Sequence, residues 1–205
     1  QGDPCYLSLD RTSRFLLGAY YNGGAVSVHE VEAGNFGEKF DWIPTGNGAH
    51  CVKTDLSNKY VMLPHIAGER GLNAIRLFKF DDDDGSLLPN RPAEISQPDN
   101  RGPRHYVFHP NGKYAYFSNE QECSVTAYSF DSSSGLIKEL QTESTLPMHY
   151  GGVNSCAQLR ITPDGRYLFA PNRGHNSLAG FSVDSDSGGL TQIGRTPTEA
   201  IPRVL

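Results

Sequence analysis

The chain has 205 residues, enough for one large or two small domains with a buried core. Its 18 basic and 23 acidic residues leave a net charge of −5, so no basic excess indicates binding to nucleic acid or to an anionic membrane. The apolar runs are only a few residues long, which excludes a helix that spans a bilayer. The 22 glycines and 13 prolines predict frequent turns.

The N-terminal residues and the cysteines bear on the length of the natural protein and on its cellular compartment. Residues Gln1 to Pro4 include no initiator Met and no apolar signal core, so we expect the sequence to be the middle of a longer protein. Four cysteines are spread along the chain without a C-x-x-C pair: Cys5, Cys51, Cys123 and Cys156. This spacing predicts reduced, half-buried thiols in a cytoplasmic protein, while the missing N-terminus leaves a periplasmic or secreted origin open.

Four segments repeat one pattern at intervals of about fifty residues. The segments are Leu7–Val28, Val52–Phe80, Tyr106–Phe130 and Leu159–Val183. In each, a short apolar strand runs into a polar turn that ends in a basic residue, and an aromatic residue follows directly. The basic residues are Arg14, Lys59, Lys113 and Arg166, separated by steps of 45, 54 and 53 residues. The next strand is predicted at Val26, Ile75, Val125 and Leu178, with an insertion near 68–71 in the second segment.

Each repeat is predicted to contain four strands. In the fourth repeat these are Leu159–Thr162, Tyr167–Pro171, Leu178–Val183 and Leu190–Gly194. Because no long stretch shows a helical stripe, the pattern predicts an all-β protein made of four-stranded antiparallel β-propeller blades. The blade units are about 4–48, 49–102, 103–156 and 157–202, and residues 203–205 would start another blade. We therefore expect an incomplete part of a larger propeller, although a four-bladed ring is possible.

The blade pattern brings distant residues together. In a four-stranded meander, the start of the first strand and the end of the second lie on one face near the axis. Start positions, nine residues before each basic turn residue, hold Cys5, His50, Arg104 and Ala157, and Arg203 would hold the same position in the next repeat. End positions, six and seven residues after it, hold Tyr20-Tyr21, His65-Ile66, Asn119-Glu120 and Asn172-Arg173. His50, Arg104, Glu120 and Arg173 are therefore predicted to converge on one mouth of the channel.

The residue types at this mouth suggest acid–base chemistry on an anion. Guanidinium groups of Arg104 and Arg173 suit carboxylates and phosphates, and can stabilise the oxyanion formed when a carbonyl is attacked. Glu120 or His50 can take a proton from water or give one to a leaving alkoxide. Structural alternatives remain: His50 could cap a strand, and Arg104 could pair with Glu120 only to stabilise the fold. His65 could line the mouth or pack inside the blade.

Several motifs together resemble a known family. They are Gly48-Ala49-His50-Cys51-Val52, Gly102-Pro103-Arg104-His105, Ser118-Asn119-Glu120, Thr162-Pro163-Asp164-Gly165-Arg166-Tyr167-Leu168 and Pro171-Asn172-Arg173-Gly174-His175-Asn176-Ser177. They resemble the lactonase family of seven-bladed propellers, which includes propeller-type 6-phosphogluconolactonases and fungal carboxymuconate lactonising enzymes. The resemblance implies that about three blades are absent. It also implies a functional role for His50, Arg104, Glu120 and Arg173, which match residues proposed as functional in the muconate enzymes.

The resemblance implies hydrolysis of a sugar lactone, with 6-phosphogluconolactone as the expected substrate. A carboxymuconate-type cycloisomerase and a non-catalytic interaction propeller are the alternatives. We expect Arg104, Glu120, Arg173 and His50 to be catalytic, and the end-position residues His65, Asn119 and Asn172 to bind substrate. No cofactor is expected, and no metal is expected because the predicted mouth lacks the set of carboxylate and Asn ligands that the unrelated calcium-dependent lactonase propellers need. Asp81–Asp84 lacks the ligand pattern of a calcium loop and is predicted to form a hairpin turn. The expected partner is a small anionic lactone; the sequence does not indicate an oligomeric state.

Overall fold

The computed structural model describes residues 2–68 and 70–204, except for the side chain of Lys39. Gln1, Glu69 and Leu205 lie outside the described residues, and with them part of the predicted insertion at 68–71 and of the predicted blade start at 203–205. Sixteen β-strands and no helix make up the secondary structure of the described part. This confirms the predicted all-β class.

The strands form four sheets of four. The first half of the chain contains β1 (Tyr6–Leu9), β2 (Phe15–Tyr20), β3 (Ala25–Glu32), β4 (Asn35–Pro44), β5 (Lys53–Thr54), β6 (Tyr60–His65), β7 (Ala74–Phe80) and β8 (Leu87–Ser96). The second half contains β9 (Pro103–Phe108), β10 (Tyr114–Asn119), β11 (Ser124–Asp131), β12 (Leu136–Ser144), β13 (Arg160–Ile161), β14 (Tyr167–Asn172), β15 (Ser177–Val183) and β16 (Leu190–Pro197).

Each sheet is an antiparallel meander of four consecutive strands, as the repeat predicts. The sheets are β1–β4, β5–β8, β9–β12 and β13–β16, and each lies inside one predicted blade unit. The third strand of every sheet begins one residue before its predicted position, at Ala25, Ala74, Ser124 and Ser177. The fourth sheet differs from the prediction at its edges. Its first strand has only two ladder pairs, and its last strand runs on to Pro197 because the pairing continues beyond a bulge at Gly180 and Phe181.

The chain forms two compact units. Residues 1–99 with 132–135 make the first unit, which contains β1–β8; residues 100–131 with 136–205 make the second, which contains β9–β16. Each has an apolar core between its sheets. In the first unit the core includes Phe15, Leu17, Val61 and Leu63, and in the second it includes Tyr116, Val125, Leu168 and Phe181. The inner strands β9 and β10 are buried along their whole length, so both faces of these strands are covered.

The polar turn of the repeat is stabilised by its first side chain. Asp55 accepts hydrogen bonds from the backbone N–H groups of Ser57, Lys59 and Tyr60, each at 2.9 Å. Asp10 plays the same part in the first sheet and accepts from the N–H of Phe15 at 2.9 Å. These bonds satisfy backbone donors that the tight turn leaves without strand partners.

In the first and third repeats, the aromatic residue after the basic turn residue packs on a hairpin turn of the next sheet. Phe15 covers Gly85 and Tyr114 covers Gly188; both glycines have positive φ, at 74°. A Cβ at Gly85 would lie 2.5 Å from the Phe15 ring, and one at Gly188 would lie 2.4 Å from the Tyr114 ring. Only glycine allows this close approach, so the aromatic and the glycine explain each other's place in the repeat.

Candidate functional site

The second unit brings three of the predicted site residues together. Arg104 is the second residue of β9, at the start of the first strand of its sheet. Glu120 directly follows β10, and Arg173 directly follows β14. These are the start and end positions of the repeat, so the antiparallel meander itself delivers the three side chains to one place.

A carboxylate bridges two guanidinium groups at this point. Arg104 Nε lies 2.6 Å from Glu120 Oε2, and Arg173 Nη2 lies 3.0 Å from Glu120 Oε1. The side chains are only 8% exposed for Arg104, 17% for Glu120 and 10% for Arg173. We call these residues the charged triad. Two positive charges and one negative charge leave one net positive charge in a largely desolvated place.

The backbone fixes the triad from several sides. Glu120 N donates to Gly102 O at 2.6 Å, and Glu120 O accepts from Cys156 N at 3.1 Å. Arg173 N donates to Ser155 O at 2.9 Å, and its Nη2 also donates to Cys156 O at 2.7 Å. The segment that leads into β13 therefore holds both the carboxylate residue and one of the two arginines, so the positions of Glu120 and Arg173 are coupled.

One hydrogen-bond donor of the charged triad is available to a ligand. Among the residues that the structure describes, none accepts a hydrogen bond from Arg173 Nε, although the atom is buried. A buried donor of this kind is unfavourable unless water or a ligand oxygen meets it. Together with the net positive charge, it equips this place to hold an anion or to polarise a carbonyl.

The two predicted asparagines directly precede Glu120 and Arg173. Their buried side chains bond within their own sheets, and Asn172 also bonds to Thr145, which follows β12. Asn119 is fully buried, and its Nδ2 donates to Ser124 Oγ at 2.7 Å and to Thr126 Oγ1 at 2.8 Å. Asn172 is also fully buried and donates to Ser177 Oγ at 3.2 Å. These bonds tie the end of each second strand to the strand that follows. The role of both residues in substrate binding stays a prediction.

The two predicted histidines lie in the first unit. His50 is half-buried; its N donates to Pro64 O at 3.0 Å, and its ring contacts Tyr21 edge-on at 5.9 Å between centroids. His65 ends β6 and is fully buried, with Nδ1 3.0 Å from Asn47 O. Burial lowers the pKa of His65 to about 4. The convergence of His50 with the triad and the role of His65 in substrate binding stay predictions.

The sequence reasoning missed a group of polar and thiol side chains next to the triad. Cys123 and Cys156 lie there with Thr145, Asn154 and Asn172, and we call these five residues the thiol cluster. Asn154 connects them, because its Nδ2 donates to Cys123 Sγ at 3.2 Å and to Asn172 Oδ1 at 3.0 Å. A signal was present: Cys123 follows Glu120 by three residues, and Cys156 directly precedes the start position at Ala157.

Two further features of the described residues bear on metal and membrane. Over residues 2–68 and 70–204, no three His, Cys, Asp or Glu side chains are grouped in a way that could hold a metal ion. The same residues form no helix long and apolar enough to cross a membrane.

The Asp81–Asp84 segment forms the hairpin turn between β7 and β8, in which Asp81 N donates to Ser86 O at 3.0 Å. The predicted turn is therefore confirmed.

Comparison with known proteins assigns the family. A family model described as lactonase, 7-bladed beta-propeller, matches residues 1–205. The chain belongs to this family. The four antiparallel sheets are accordingly blades of the seven-bladed propeller fold, and the predicted family is confirmed.

Named relatives and a solved structure support the assignment. The chain is 36% identical over 202 residues to a 6-phosphogluconolactonase of Enterobacter sp. (strain 638), and 37% identical over 202 residues to one of Klebsiella pneumoniae (strain 342). Each alignment covers 98% of the chain and 60% of the relative. A solved structure of the periplasmic gluconolactonase of Pseudomonas aeruginosa matches with a TM-score of 0.85 and 26% identity, covering 98% of the chain and 59% of that protein. The chain thus spans about 60% of the length of the relatives that it matches.

Proposed function

We propose that the protein hydrolyses a sugar lactone, with 6-phosphogluconolactone as substrate and 6-phosphogluconate as product. The observation that carries the proposal is the charged triad, in which Glu120 is held between Arg104 and Arg173 with all three largely buried. The relatives named 6-phosphogluconolactonase support this substrate. The activity would belong to the pentose phosphate pathway of carbohydrate metabolism.

The two arginines would bind the substrate and polarise it. The net positive charge of the triad favours an anionic group, and the planar guanidinium of Arg173 offers its Nε to an oxygen. Attack of water on a lactone carbonyl develops negative charge on oxygen, which a positioned guanidinium stabilises where water is excluded. The burial of Arg104 and Arg173 supports this part of the proposal.

Glu120 and His50 would move the protons. A carboxylate at Glu120 can take a proton from the attacking water, and His50 can give one to the leaving alkoxide. A lactone is an activated ester, so the step requires no covalent nucleophile, and we propose that it needs neither a metal nor a cofactor. His65, Asn119 and Asn172 would shape the pocket; for the asparagines, the bonds at the ends of β10 and β14 suit a supporting role.

A lactone without the phosphate is the second candidate. It is favoured by the structural match to the gluconolactonase of Pseudomonas aeruginosa. Because gluconolactone is neutral, it would use an arginine only at the carbonyl, whereas the phosphorylated lactone would also use the positive charge to bind. The dependence of KM on the phosphate separates the two.

We further propose that the protein acts in the cytoplasm on a small-molecule lactone and binds neither nucleic acid nor membrane. The four free cysteines and the net charge of −5 are in keeping with this. Separation of periplasmic and cytoplasmic fractions by osmotic shock, followed by immunodetection, tests the location.

The decisive experiment measures initial rates on three lactones with the full chain. The substrates are 6-phosphogluconolactone, gluconolactone and carboxymuconolactone, each corrected for spontaneous hydrolysis. Glu120→Gln keeps the size of the side chain but removes the base and both ion pairs, and we expect kcat to fall by about 100-fold or more. Arg173→Lys keeps the charge and removes the fork, and we expect kcat/KM on the phosphorylated lactone to fall by about 10- to 100-fold.

Arg166→Lys is the matched control, because Arg166 lies in a surface turn of the same unit and pairs there with Asp164 at 2.7 Å. Its rates should equal those of the wild type. Unchanged turnover in folded Glu120→Gln would contradict the proposed role of the triad. Conversion of carboxymuconolactone alone would favour the cycloisomerase. A lack of activity on all three lactones, with a protein partner recovered, would favour the interaction propeller.

A further inference from the structure

Two cysteines of the second unit lie together beside the charged triad. Cys123 is the last residue of the turn between β10 and β11 and has a positive φ of 58°. Cys156 lies in the segment before β13 and forms an isolated bridge with Asn172. Cys123 is 7% exposed and Cys156 is fully buried. The turn and the segment come from neighbouring sheets, so the fold places two thiols 33 positions apart in one polar environment.

The sulfur atoms share the polar atoms of the thiol cluster. Asn154 Nδ2 donates to Cys123 Sγ at 3.2 Å, and Thr145 Oγ1 lies 3.2 Å from Cys156 Sγ. Cys156 Sγ is also 3.7 Å from Asn172 Oδ1. Asn154 Nδ2 lies 3.0 Å from Asn172 Oδ1, so these two amides connect the two sulfur atoms. Both thiols therefore belong to one small cluster, and a disulfide between them requires side-chain rotation.

The surroundings of the two thiols shift their pKa values in opposite directions. The hydrogen bond from Cys156 lowers the pKa of Cys123 to about 7, and Asn154 and the positive charge of Arg173 act in the same direction against the effect of burial. The same hydrogen bond and burial raise the pKa of Cys156 well above its usual value. A thiolate beside a protonated thiol is the arrangement in which one sulfur attacks an oxidant and the other resolves the product.

We propose that Cys123 and Cys156 form a peroxide-reactive dithiol, which closes reversibly to a disulfide next to Arg173. The Cys123 thiolate attacks one oxygen of hydrogen peroxide; an S–O bond forms, the O–O bond breaks, and the released hydroxide takes up a proton as water. Cys123 is then a sulfenic acid. The Cys156 sulfur attacks the Cys123 sulfur, an S–S bond forms, the S–O bond breaks, and the hydroxide leaves as water with the thiol proton.

The electrons and protons of the reaction balance with hydrogen peroxide as the oxidant. The two thiols supply two electrons and two protons, and one peroxide is reduced to two waters. A small dithiol reductant reverses the reaction by thiol–disulfide exchange. The oxidant has to be small, because Cys123 is only 7% exposed.

The backbone connects the dithiol to the triad. Cys156 O accepts from Arg173 Nη2 at 2.7 Å, and Cys156 N donates to Glu120 O at 3.1 Å. A disulfide that draws Cys156 towards Cys123 acts on the residue that bonds the backbone of Glu120 and the side chain of Arg173. Control of turnover by oxidation would rest on the proposed function, whereas formation of the disulfide does not.

Peptide mass spectrometry tests the dithiol without using turnover. The full chain is treated with hydrogen peroxide at pH 7, alkylated with iodoacetamide and digested with trypsin, which places the cysteines in separate peptides. The peptides span residues 1–11, 40–53, 114–138 and 139–160. We expect peptides 114–138 and 139–160 to be joined with the loss of two hydrogens, and to separate again after treatment with dithiothreitol.

Two variants sharpen the result. Cys156→Ser should leave a sulfenic acid at Cys123 that dimedone traps, with no joined peptide. Cys51→Ser is the matched control, since Cys51 is buried in the first unit, and it should still give the joined peptide. Alkylation of both Cys123 and Cys156 in peroxide-treated wild type, or oxidation confined to Cys5 and Cys51, would overturn the proposal. Either result leaves the lactonase assay unaffected, so the two proposals fail separately.

Discussion

His65 is expected to make the protein less stable in mild acid. The side chain is fully buried at the end of β6, and burial lowers its pKa from 6.5 to about 4. The charged groups that act on it are Arg76, which lowers the pKa further, and Glu94, which raises it; these two form an ion pair at 3.2 Å. The folded protein therefore holds His65 neutral over a pH range in which the unfolded chain protonates it.

The sign and the size of this pH effect follow from the difference in proton binding between the folded and the unfolded state. Between pH 6.5 and pH 4 the unfolded state binds more protons than the folded state, so the free energy of unfolding falls as the pH falls. The stabilisation of the folded protein by neutral His65 is intact above pH 6.5 and fully lost below pH 4. The shift corresponds to about 3 kcal/mol in total, and about 2 kcal/mol of it is lost by pH 5.

Urea unfolding followed by circular dichroism at pH 7 and pH 5 measures the effect. His65→Gln cannot be protonated, so the drop in unfolding free energy from pH 7 to pH 5 should be about 2 kcal/mol smaller than in the wild type. His149→Gln, at an exposed position, is the control and should keep the wild-type drop. An equal drop in His65→Gln and wild type would refute the assignment of a neutral, buried His65. The KM of the same variant tests the predicted part of His65 in substrate binding.

Two stability predictions concern the repeat itself. Gly85→Ala adds a Cβ at positive φ and 2.5 Å from the Phe15 ring, whereas Gly34→Ala adds one at positive φ with no atom within 4 Å. Thermal or urea unfolding should show a loss of about 1 kcal/mol for Gly34→Ala and about 3 kcal/mol for Gly85→Ala, and equal losses would rule out the proposed packing. Asp55→Ala removes the acceptor for three backbone N–H groups and should cost about 2 kcal/mol, against no measurable change in the exposed control Asp99→Ala.

The sequence was sufficient to predict the fold because the repeat specifies the order and the pairing of the strands. A polar turn, a basic residue and an aromatic residue recur at nearly constant steps, and a meander of four strands is the simplest structure with that period. Once the meander is accepted, the start of one strand and the end of the next must be neighbours. This is why Arg104 and Glu120 could be paired from their positions alone, and the distance of 2.6 Å agrees with that reasoning.

The direction of side chains could not be predicted in the same way. Asn119 and Glu120 occupy adjacent end positions, yet Asn119 is buried against Ser124 and Thr126 while Glu120 reaches the arginines. Pleating sends neighbouring residues to opposite sides, but the bulge between Ser118 and Asn119 shifts the register where the strand ends. The grouping of Cys123 and Cys156 around Asn154 and Asn172 depends on side-chain rotamers at two loops, which a repeat pattern does not encode.

The charged triad favours a chemical role over a purely structural one on energetic grounds. Moving each charged group out of water costs several kcal/mol, and a buried ion pair usually recovers no more than that cost. Glu120 joins two sheets of the second unit through Arg104 and Arg173, but apolar side chains of similar size would join them at least as well. Two guanidinium groups that share one carboxylate, with a buried donor left over on Arg173, are a poor choice for stability alone. The arrangement becomes favourable when an anionic or carbonyl oxygen meets that donor, so the free protein should be stabilised by its own ligand.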